Sequence, residues 1–200
     1  MSGLPERKYD VILADPPWSY YGQQDKWGAA AKFYDLMPDG DIASLHVSRL
    51  AKRESVLFLW ATCPRLDAAI DVMRSWGFAY RGVAFVWVKT TKDGRPIGAR
   101  GVRPSIVKPT TEIVLAGSMT TKGRPMPIAS EAIRQVVLAP VGRHSAKPSE
   151  VAERIEQLYP SAKRIELFAR ERRNGWDAWG NEVTVTPSPS SDCDTGDIAA

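Results

Sequence analysis

The sequence predicts an α/β domain, in which helices cover a mostly parallel β-sheet. Three observations favour this class: short apolar runs typical of buried strands recur along the chain, segments with helical spacing of apolar residues separate them, and polar residues follow the ends of the runs. The chain has 200 residues, of which 44% are hydrophobic, a size that suits one domain and is too small for two. We therefore expect a single domain, of a size typical of catalytic domains, over residues 1–183.

Each predicted strand is a run of apolar residues that Gly, Pro or polar residues bound. The first run comes directly after a charged amino-terminal segment, and the last follows a Pro that ends a helical pattern. Because the runs alternate with helical segments, they are expected to lie mainly parallel to one another in one sheet. The predicted strands cover residues 9–14, 55–61, 79–89, 112–117 and 164–169.

Three helices are predicted from capping residues and from the helical spacing of apolar residues. The first is expected to be capped by Asp41 and to end near residue 51, the second begins at Pro64 and ends at Gly77, and the third is capped by Ser149 and ends before Pro160. Apolar residues at helical spacing define the buried faces of the second and third helices. They are Leu66, Ile70 and Met73 in the second helix and Val151, Ile155 and Leu158 in the third.

Composition and charge exclude several classes of protein. The two cysteines, Cys63 and Cys193, are too few for a disulfide framework or a thiolate metal site, so a reducing cytoplasmic setting is expected. No apolar run is long enough for a membrane span, and we expect no membrane partner. The net charge of +4 is compatible with a polyanionic partner without indicating one. Residues 184–200 contain mostly Pro, Ser, Thr, Asp and Gly and are expected to form a disordered tail.

Two loops contain residues suited to contact nucleic acid. The predicted loop over residues 19–39 is rich in aromatic residues, whose rings can stack on a splayed base. Its candidates are Tyr20, Tyr21, Trp27 and Tyr34. The connection between the strands at 79–89 and 112–117 is basic, and Lys89, Arg100 and Arg103 are its candidate phosphate contacts, although a solvated hairpin tip is the alternative interpretation. Trp60, Trp76 and Trp87 are instead expected in the core.

The tetrapeptide Asp15-Pro16-Pro17-Trp18 indicates chemistry on an amino group attached to a base. It follows a buried strand directly, so the Asp15 carboxylate and the proline-constrained carbonyl of Pro16 are expected at the strand's carboxyl end. Both groups accept hydrogen bonds and could hold one exocyclic NH2 group, while Trp18 offers a ring for stacking. The alternative is an ordinary strand that ends in a proline turn, but such a tetrapeptide is rare by chance, since Pro makes up only about 5% of residues.

The chain resembles a small bacterial or phage member of the MT-A70 family of adenine-N6 methyltransferases. The similarity covers roughly residues 8–183 and includes several motifs in the family's order. These motifs are Asp15 to Trp18, Phe58-Leu59-Trp60, Trp76-Gly77-Phe78, Trp87-Val88-Lys89, Glu112, His144 to Pro148, Ile165 to Arg170, Gly175-Trp176 and Gly180-Asn181. The resemblance implies a Rossmann-like, S-adenosylmethionine-dependent methyltransferase fold with permuted motif order and one antiparallel strand in the sheet.

The resemblance also assigns expected roles to individual residues. Asp15 and Pro16, with Pro17 and Trp18, form the expected catalytic set, and no metal or covalent intermediate is implied. Asp15 is also expected at the cofactor's ammonium group and Lys147 at its methionine moiety, where a helix amino terminus suits a carboxylate. Around the ribose and adenine of S-adenosylmethionine the expected residues are Arg170, Asn174, Asn181 and Glu182. Relatives commonly have Gly where this chain has Ala169, whose methyl group would crowd the cofactor if the backbone needed a positive φ.

The expected reaction is transfer of the sulfonium methyl group to N6 of adenine in DNA. An adenine-N6 methyltransferase acting on RNA is the first alternative, because no residue is seen that would recognise the 2′-hydroxyl group. A non-catalytic nucleic-acid-binding subunit with the same fold is the second. Cytosine N4 is disfavoured by the resemblance, since Asp rather than Ser begins the motif.

Overall fold

The computed structural model describes residues 3–18, 36–98, 106–142, 146–181 and 183, and all structural statements below refer to these ranges. They contain seven strands and three α-helices, with short 3-10 helices at Val47–Leu50 and Cys63–Arg65. The strands are β1 (Tyr9–Ala14), β2 (Ala51–Thr62), β3 (Ala79–Thr90), β4 (Thr111–Ser118), β5 (Val136–Pro140), β6 (Arg164–Leu167) and β7 (Trp176–Trp179). The helices are α1 (Asp39–Ser44), α2 (Leu66–Ser75) and α3 (Ser149–Leu158).

All described strands form one sheet in the order β5-β3-β4-β2-β1-β6-β7. β1 runs parallel to β2 and β6, β6 is parallel to β7, and β3 is parallel to β5. Only β4, among the strands described, runs against its neighbours β2 and β3. The prediction of a mostly parallel sheet with one antiparallel strand is therefore confirmed, and the carboxyl ends of the other six strands meet at one edge.

The two faces of the sheet support separate core clusters. Helices α1 and α2 cover one face, where Ile42, Met73 and Trp76 pack against the sheet. Helix α3 covers the other face, where Val151 and Ile155 pack. Trp60, Trp76 and Trp87 are all at most 2% exposed, which confirms the prediction that these three tryptophans belong to the core.

Several predicted boundaries were wrong for identifiable reasons. The first helix begins at Asp39 and ends at Ser44, with Asp41 inside it, and a separate 3-10 helix leads into β2. Ser149 is the first helical residue of α3 and makes no side-chain cap, because Pro148 occupies the N-cap position. Strands β5 and β7 were not predicted, and both lie at edges of the sheet.

The junction after β6 differs from the sequence-based expectation in a way that shapes the site. The strand ends at Leu167 rather than at residue 169, because Phe168 adopts a φ of 60°. Ala169 has no positive φ. The left-handed backbone conformation considered for that position occurs one residue earlier, at Phe168. The Ala169 N–H donates to the Trp179 carbonyl at 3.0 Å. A Cβ on Gly180 would lie 2.1 Å from the Ala169 oxygen, so the two backbones can approach this closely only because residue 180 is Gly.

Candidate active site

Asp15 lies at the carboxyl end of the central strand β1. Ala14, the last residue of β1, pairs with Leu59 of β2 on one side and with Leu167 of β6 on the other. The Asp15 N–H reaches the Leu167 carbonyl at 3.4 Å. The side chain is 22% exposed. The carboxylate thus lies between β2 and the end of β6, at the edge where ligands of parallel sheets bind.

The prolines that follow Asp15 form a tight, hydrogen-bonded turn. The Pro16 carbonyl accepts a hydrogen bond from the Trp18 N–H at 2.8 Å, and the Pro17 carbonyl accepts one from the Met37 N–H at 3.1 Å. A carbonyl oxygen has two lone pairs, so Pro16 keeps one for a further donor. The turn therefore fixes the direction of the Pro16 carbonyl beside Asp15.

Trp18 belongs to the core in this structure. Its ring is 5% exposed, and its indole N–H donates to the Trp60 carbonyl at 2.9 Å. These contacts anchor the turn to β2. Stacking of Trp18 on a target base stays a prediction, and it would require the groups that cover the ring to move.

Asp15 belongs to a half-buried array of four charged side chains. Lys147, two residues before α3, places its Nζ 2.7 Å from Oδ2 of Asp15 and 3.5 Å from Oε2 of Glu112. The other carboxylate oxygen of Glu112 lies 2.5 Å from Nζ of Lys89. Exposure of these four side chains ranges from 15% to 22%. Two lysines and two carboxylates thus alternate along one chain of contacts.

The pKa values of the two carboxyl groups shift in opposite directions. Burial raises the pKa of Asp15, the Lys147 ammonium opposes that effect, and the Glu112 charge adds to it, with a smaller lowering from Arg170. Burial also tends to raise the pKa of Glu112, but Lys147 and Lys89 together outweigh it and hold that pKa below its usual range. Glu112 is accordingly the more firmly ionised group, and Asp15 is the more easily protonated one.

Two of the predicted cofactor residues leave neighbouring strands at the same edge as Asp15. Leu167 pairs with Trp179 at the ends of β6 and β7. Arg170 and Asn181 follow these strand ends, and both are exposed. The close approach of Gly180 to Ala169 brings the two segments together immediately before these residues. Lys147, Arg170 and Asn181 are therefore placed around one edge, as predicted, while their roles stay predictions.

Asn174 lies away from this group. It stands two residues before Trp176, which pairs with Arg164 at the amino ends of β6 and β7. The length of these strands, about 10 Å at roughly 3.3 Å per residue, separates that position from the Asp15 edge. The prediction that groups Asn174 with Asn181 is therefore not supported by the topology.

Lys89 and Glu112 contact each other, which the sequence analysis did not predict. Lys89 was predicted to contact phosphates, but its ammonium group points to Glu112 and lies 5.2 Å from the centre of the Trp87 ring. Glu112 appeared in the sequence only as part of a resemblance, without a role. One signal could have identified it: a charged residue at the start of an otherwise apolar strand needs a partner if it is buried.

Seven other candidates fall outside the residues that the structure describes. They are Tyr20, Tyr21, Trp27, Tyr34, Arg100, Arg103 and Glu182. The predicted tail over 184–200 also falls outside. Across the described ranges, His, Cys, Asp and Glu side chains form no group of three that could hold a metal ion. No helix in these ranges is long and apolar enough to cross a membrane.

Fold and site together define a class of protein: an α/β domain with a buried carboxylate–lysine site at the carboxyl edge of a mostly parallel sheet. Comparison with known proteins identifies the family. The MT-A70 family profile matches residues 9–182. The chain belongs to the MT-A70 family of methyltransferases.

Individual relatives include bacterial and eukaryotic enzymes. The chain is 34% identical over 199 residues to the Type II methyltransferase M.MunI from Mycoplasma sp, covering 90% of this chain and 80% of that protein. It is 29% identical over 178 residues to the human N(6)-adenosine-methyltransferase catalytic subunit METTL3, covering 88% of this chain and 28% of that protein. It is 30% identical over 178 residues to a Drosophila melanogaster N(6)-adenosine-methyltransferase MT-A70-like protein, covering 88% of this chain and 27% of that protein. The chain thus spans most of the bacterial relative and about a quarter of the two animal ones.

Proposed function

We propose that this protein transfers the methyl group of S-adenosylmethionine to N6 of adenine in DNA. Membership of a methyltransferase family supports the reaction, and the similarity to a bacterial Type II methyltransferase over most of its length favours DNA. The observation on which the proposal rests is the placement of Asp15, a buried carboxylate 2.7 Å from Lys147 and next to the proline turn. This site offers two acceptors for one amino group within a charged, partly desolvated setting.

Asp15 and Pro16 would act on the adenine amino group. Its lone pair is delocalised into the ring, so the nitrogen is a poor nucleophile until it becomes pyramidal. Hydrogen bonds from the two N–H groups to the Asp15 carboxylate and the Pro16 carbonyl favour that geometry, which develops in the transition state. Because the turn holds both acceptors in place, positioning of the nitrogen contributes further to the rate.

The residues at the strand ends suit the cofactor. S-adenosylmethionine supplies a methyl group on a sulfonium centre, and its amino-acid end carries an ammonium and a carboxylate group. Asp15 would hold the ammonium, and Lys147, directly before the amino terminus of α3, would hold the carboxylate. Arg170 and Asn181, with Glu182, would hold the ribose and adenine. Lys147 already contacts Asp15 and Glu112, so a bound carboxylate would join or replace those contacts.

In duplex DNA the target adenine would have to leave the base stack. That movement costs a few kcal/mol, which contacts in the pocket and to the phosphates would offset. We assign these contacts to the aromatic loop over 19–39 and to the basic connection over 91–108 that follows β3. Single-stranded substrate would avoid the cost and would be methylated more readily under otherwise equal conditions.

RNA is the second candidate substrate, and one observation favours it. Over 88% of its length the chain is similar to the human N(6)-adenosine-methyltransferase catalytic subunit METTL3. Similarity to both kinds of relative does not by itself separate the two polymers. We rank DNA first because only the bacterial relative, among those described above, is matched over most of its own length.

Nucleoside mass spectrometry tests the proposal directly. Purified protein is incubated with isotopically labelled S-adenosylmethionine and, separately, with duplex DNA, single-stranded DNA and RNA of matched sequence. We expect labelled N6-methyladenine in DNA and none in reactions with the Asp15→Ala variant. Asp10→Ala is the matched control, because Asp10 belongs to the same strand at its far end.

The outcomes separate the candidates. Label in RNA alone would replace DNA by RNA as the substrate class. Absence of label in every polymer, with cofactor binding shown by calorimetry, would favour a subunit that needs a catalytic partner. If the wild type binds the cofactor no better than an Asp15→Ala, Asn181→Ala double variant does, the proposal that the protein is an enzyme fails.

A further inference from the structure

Glu112 competes with Asp15 for the same lysine. Nζ of Lys147 lies 2.7 Å from Asp15 and 3.5 Å from Glu112, so the lysine sits closer to Asp15 although both carboxylates are within reach. Glu112 does not need Lys147 as its main partner, because Lys89 contacts its other oxygen at 2.5 Å. The attraction of Lys147 toward Glu112 therefore depends on how well Lys89 compensates the Glu112 charge.

We propose that Lys89 is a positioning residue for methyl transfer: by binding Glu112 it leaves Lys147 on Asp15. This inference rests on the proposed function, since it concerns the same site. It assigns Lys89 a role inside the site in place of a contact with nucleic-acid phosphates. Lys89 touches neither Asp15 nor Lys147 in the contacts described, and it acts through Glu112.

The sheet explains why Lys89 can do this. It is the second-last residue of β3, Glu112 is the second residue of the antiparallel strand β4, and Trp87 pairs directly with Glu112. Glu112 in turn pairs with Thr62 at the end of β2. Both charged groups are thus carried on central strands at the Asp15 edge, where the backbone ladders fix their spacing.

Each of the two lysine ammonium groups lies over a buried indole ring. The Lys89 ammonium lies 5.2 Å from the centre of the Trp87 ring, and the Lys147 ammonium lies 5.5 Å from that of Trp60. The two rings themselves meet edge to face at 6.3 Å. Cations over the faces of buried indoles are stabilised there, so each lysine has a defined position from which to reach its carboxylate.

Charge balance predicts what the loss of Lys89 would do. The four groups carry two positive and two negative charges, and removal of Lys89 leaves Glu112 with Lys147 as its remaining described ion-pair partner. Lys147 is then drawn toward Glu112, and the negative potential at Asp15 increases. Two further charged groups lie near Asp15: Arg170 lowers the pKa of Asp15, and the Asp15 charge raises the pKa of Glu166, which lies beside Arg173. Both groups remain in Lys89→Met, so a shift of the Asp15 titration in that variant reports the loss of Lys89.

The direct test is a titration of Asp15 by carbon-13 NMR in cofactor-free protein. We expect the midpoint for Asp15 to move to higher pH in Lys89→Met and to return toward the wild-type value in Lys89→Arg. Lys52→Met is the matched control, because Lys52 forms a 2.7 Å ion pair with Asp10 at the opposite edge of the sheet. A double-mutant cycle with Glu112→Gln tests whether Lys89 acts on Asp15 through Glu112. In the Glu112→Gln background, Lys89→Met should no longer move the titration midpoint of Asp15.

Kinetics provide the second readout. At neutral pH, kcat/KM for methyl transfer should fall about tenfold to a hundredfold in Lys89→Met, as expected for a misplaced reacting group. The acid limb of its pH profile should move in the same direction as the titration. If the wild type methylates no polymer, the proposed function fails, while the titration still decides the positioning role.

Three results would overturn the inference. The Asp15 midpoint could be unchanged in folded Lys89→Met, it could move equally in Lys52→Met, or its movement could persist in the Glu112→Gln background. An increase in KM for nucleic acid with a weaker salt dependence, at unchanged Asp15 titration, would assign Lys89 to phosphate binding instead. If Lys89→Met does not fold, the comparison of Glu112→Gln with wild type decides: the Asp15 midpoint must move to lower pH, since a competing negative charge has been removed.

Discussion

The two ends of β1 carry the same pair of groups in different surroundings. At the amino end, Lys52 contacts Asp10 at 2.7 Å, and at the carboxyl end Lys147 contacts Asp15 at the same distance. Yet the pKa of Asp10 is lowered while that of Asp15 is raised. Burial tends to raise both values. At Asp10 it is outweighed by hydrogen bonds from Lys52 and from the Lys163 backbone.

At Asp15 the balance is reversed. Burial is the largest effect, and the adjacent Glu112 charge adds to it, so a lysine at the same distance does not restore the ordinary pKa. An ion pair at a given distance is therefore no measure of how stable the carboxylate is. The difference shows where the molecule accepts an electrostatic cost, and that cost is expected at functional sites.

The largest expected effect of this difference is on catalysis. Asp15→Asn keeps the shape of the side chain but removes the charged acceptor, so kcat should fall by about 10²-fold or more. Asp10→Asn makes the same chemical change at the other end of the strand and should leave kcat within about twofold of wild type. Steady-state kinetics on the DNA substrate, with circular dichroism to confirm folding, measures both variants. Equal losses in the two variants would mean that the carboxyl edge has no special role.

The two glycines that flank β7 extend the comparison to the backbone. Gly180, at the carboxyl end, would place a new Cβ 2.1 Å from the Ala169 oxygen, whereas Gly175, at the amino end, has a φ of 76° and open space around it. Gly180→Ala should destabilise the fold by about 3 kcal/mol or more, since backbone cannot move aside cheaply. Gly175→Ala should cost about 1 kcal/mol, the usual penalty for a left-handed conformation. Urea unfolding measures both values.

A substitution with Asn serves as the control for this pair. Gly175→Asn should recover part of the stability lost in Gly175→Ala, because Asn tolerates a positive φ better than Ala does. Gly180→Asn should recover none, because the contact at that position excludes any Cβ. If the Ala and Asn substitutions change the free energy of unfolding equally at both glycines, the close approach at the carboxyl edge does not limit the packing.

The position of Asp15 was accessible from sequence because its determinants are local. An apolar run followed by two prolines ends a strand at a definite residue, and the structure places Asp15 there. The prediction that Lys147 lies just before a helix is also confirmed, although Pro148 rather than Ser149 occupies the cap. Local chemistry thus located both members of the central ion pair.

Contacts between distant strands could not be read in the same way. Lys89 and Glu112 are 23 residues apart, and they meet only through the register of β3 against β4. The position of Asn174 away from the Asp15 edge has a similar cause, because it depends on β7 running parallel to β6. Strand β5 lacked a clear pattern for another reason: it is an edge strand whose outward residues, such as Leu138 at 64% exposure, are apolar where polar ones are typical.

The smallest expected effect is on stability as a function of pH, and its sign should differ between the two ends of β1. The lowered pKa of Asp10 means that its ionised form stabilises the fold above the unfolded pKa of about 3.9. That contribution is lost as the pH falls through the folded value. Asp10→Asn should therefore lower the free energy of unfolding at neutral pH by no more than about 1 kcal/mol, as for other partly exposed pairs, and the loss should vanish in acid.

Asp15 should show the opposite dependence. Because its pKa is raised, protonation favours the folded state, and that contribution is present below the unfolded pKa and lost as the pH rises through the folded value. Asp15→Asn removes the cost of ionising a buried carboxyl group, while the amide oxygen can still accept a hydrogen bond from Lys147. Its Tm at neutral pH should equal or exceed that of the wild type, and calorimetry between pH 3 and pH 8 measures the difference. A lower Tm for Asp15→Asn than for Asp10→Asn at neutral pH would show that the ion pair with Lys147 outweighs burial at the site.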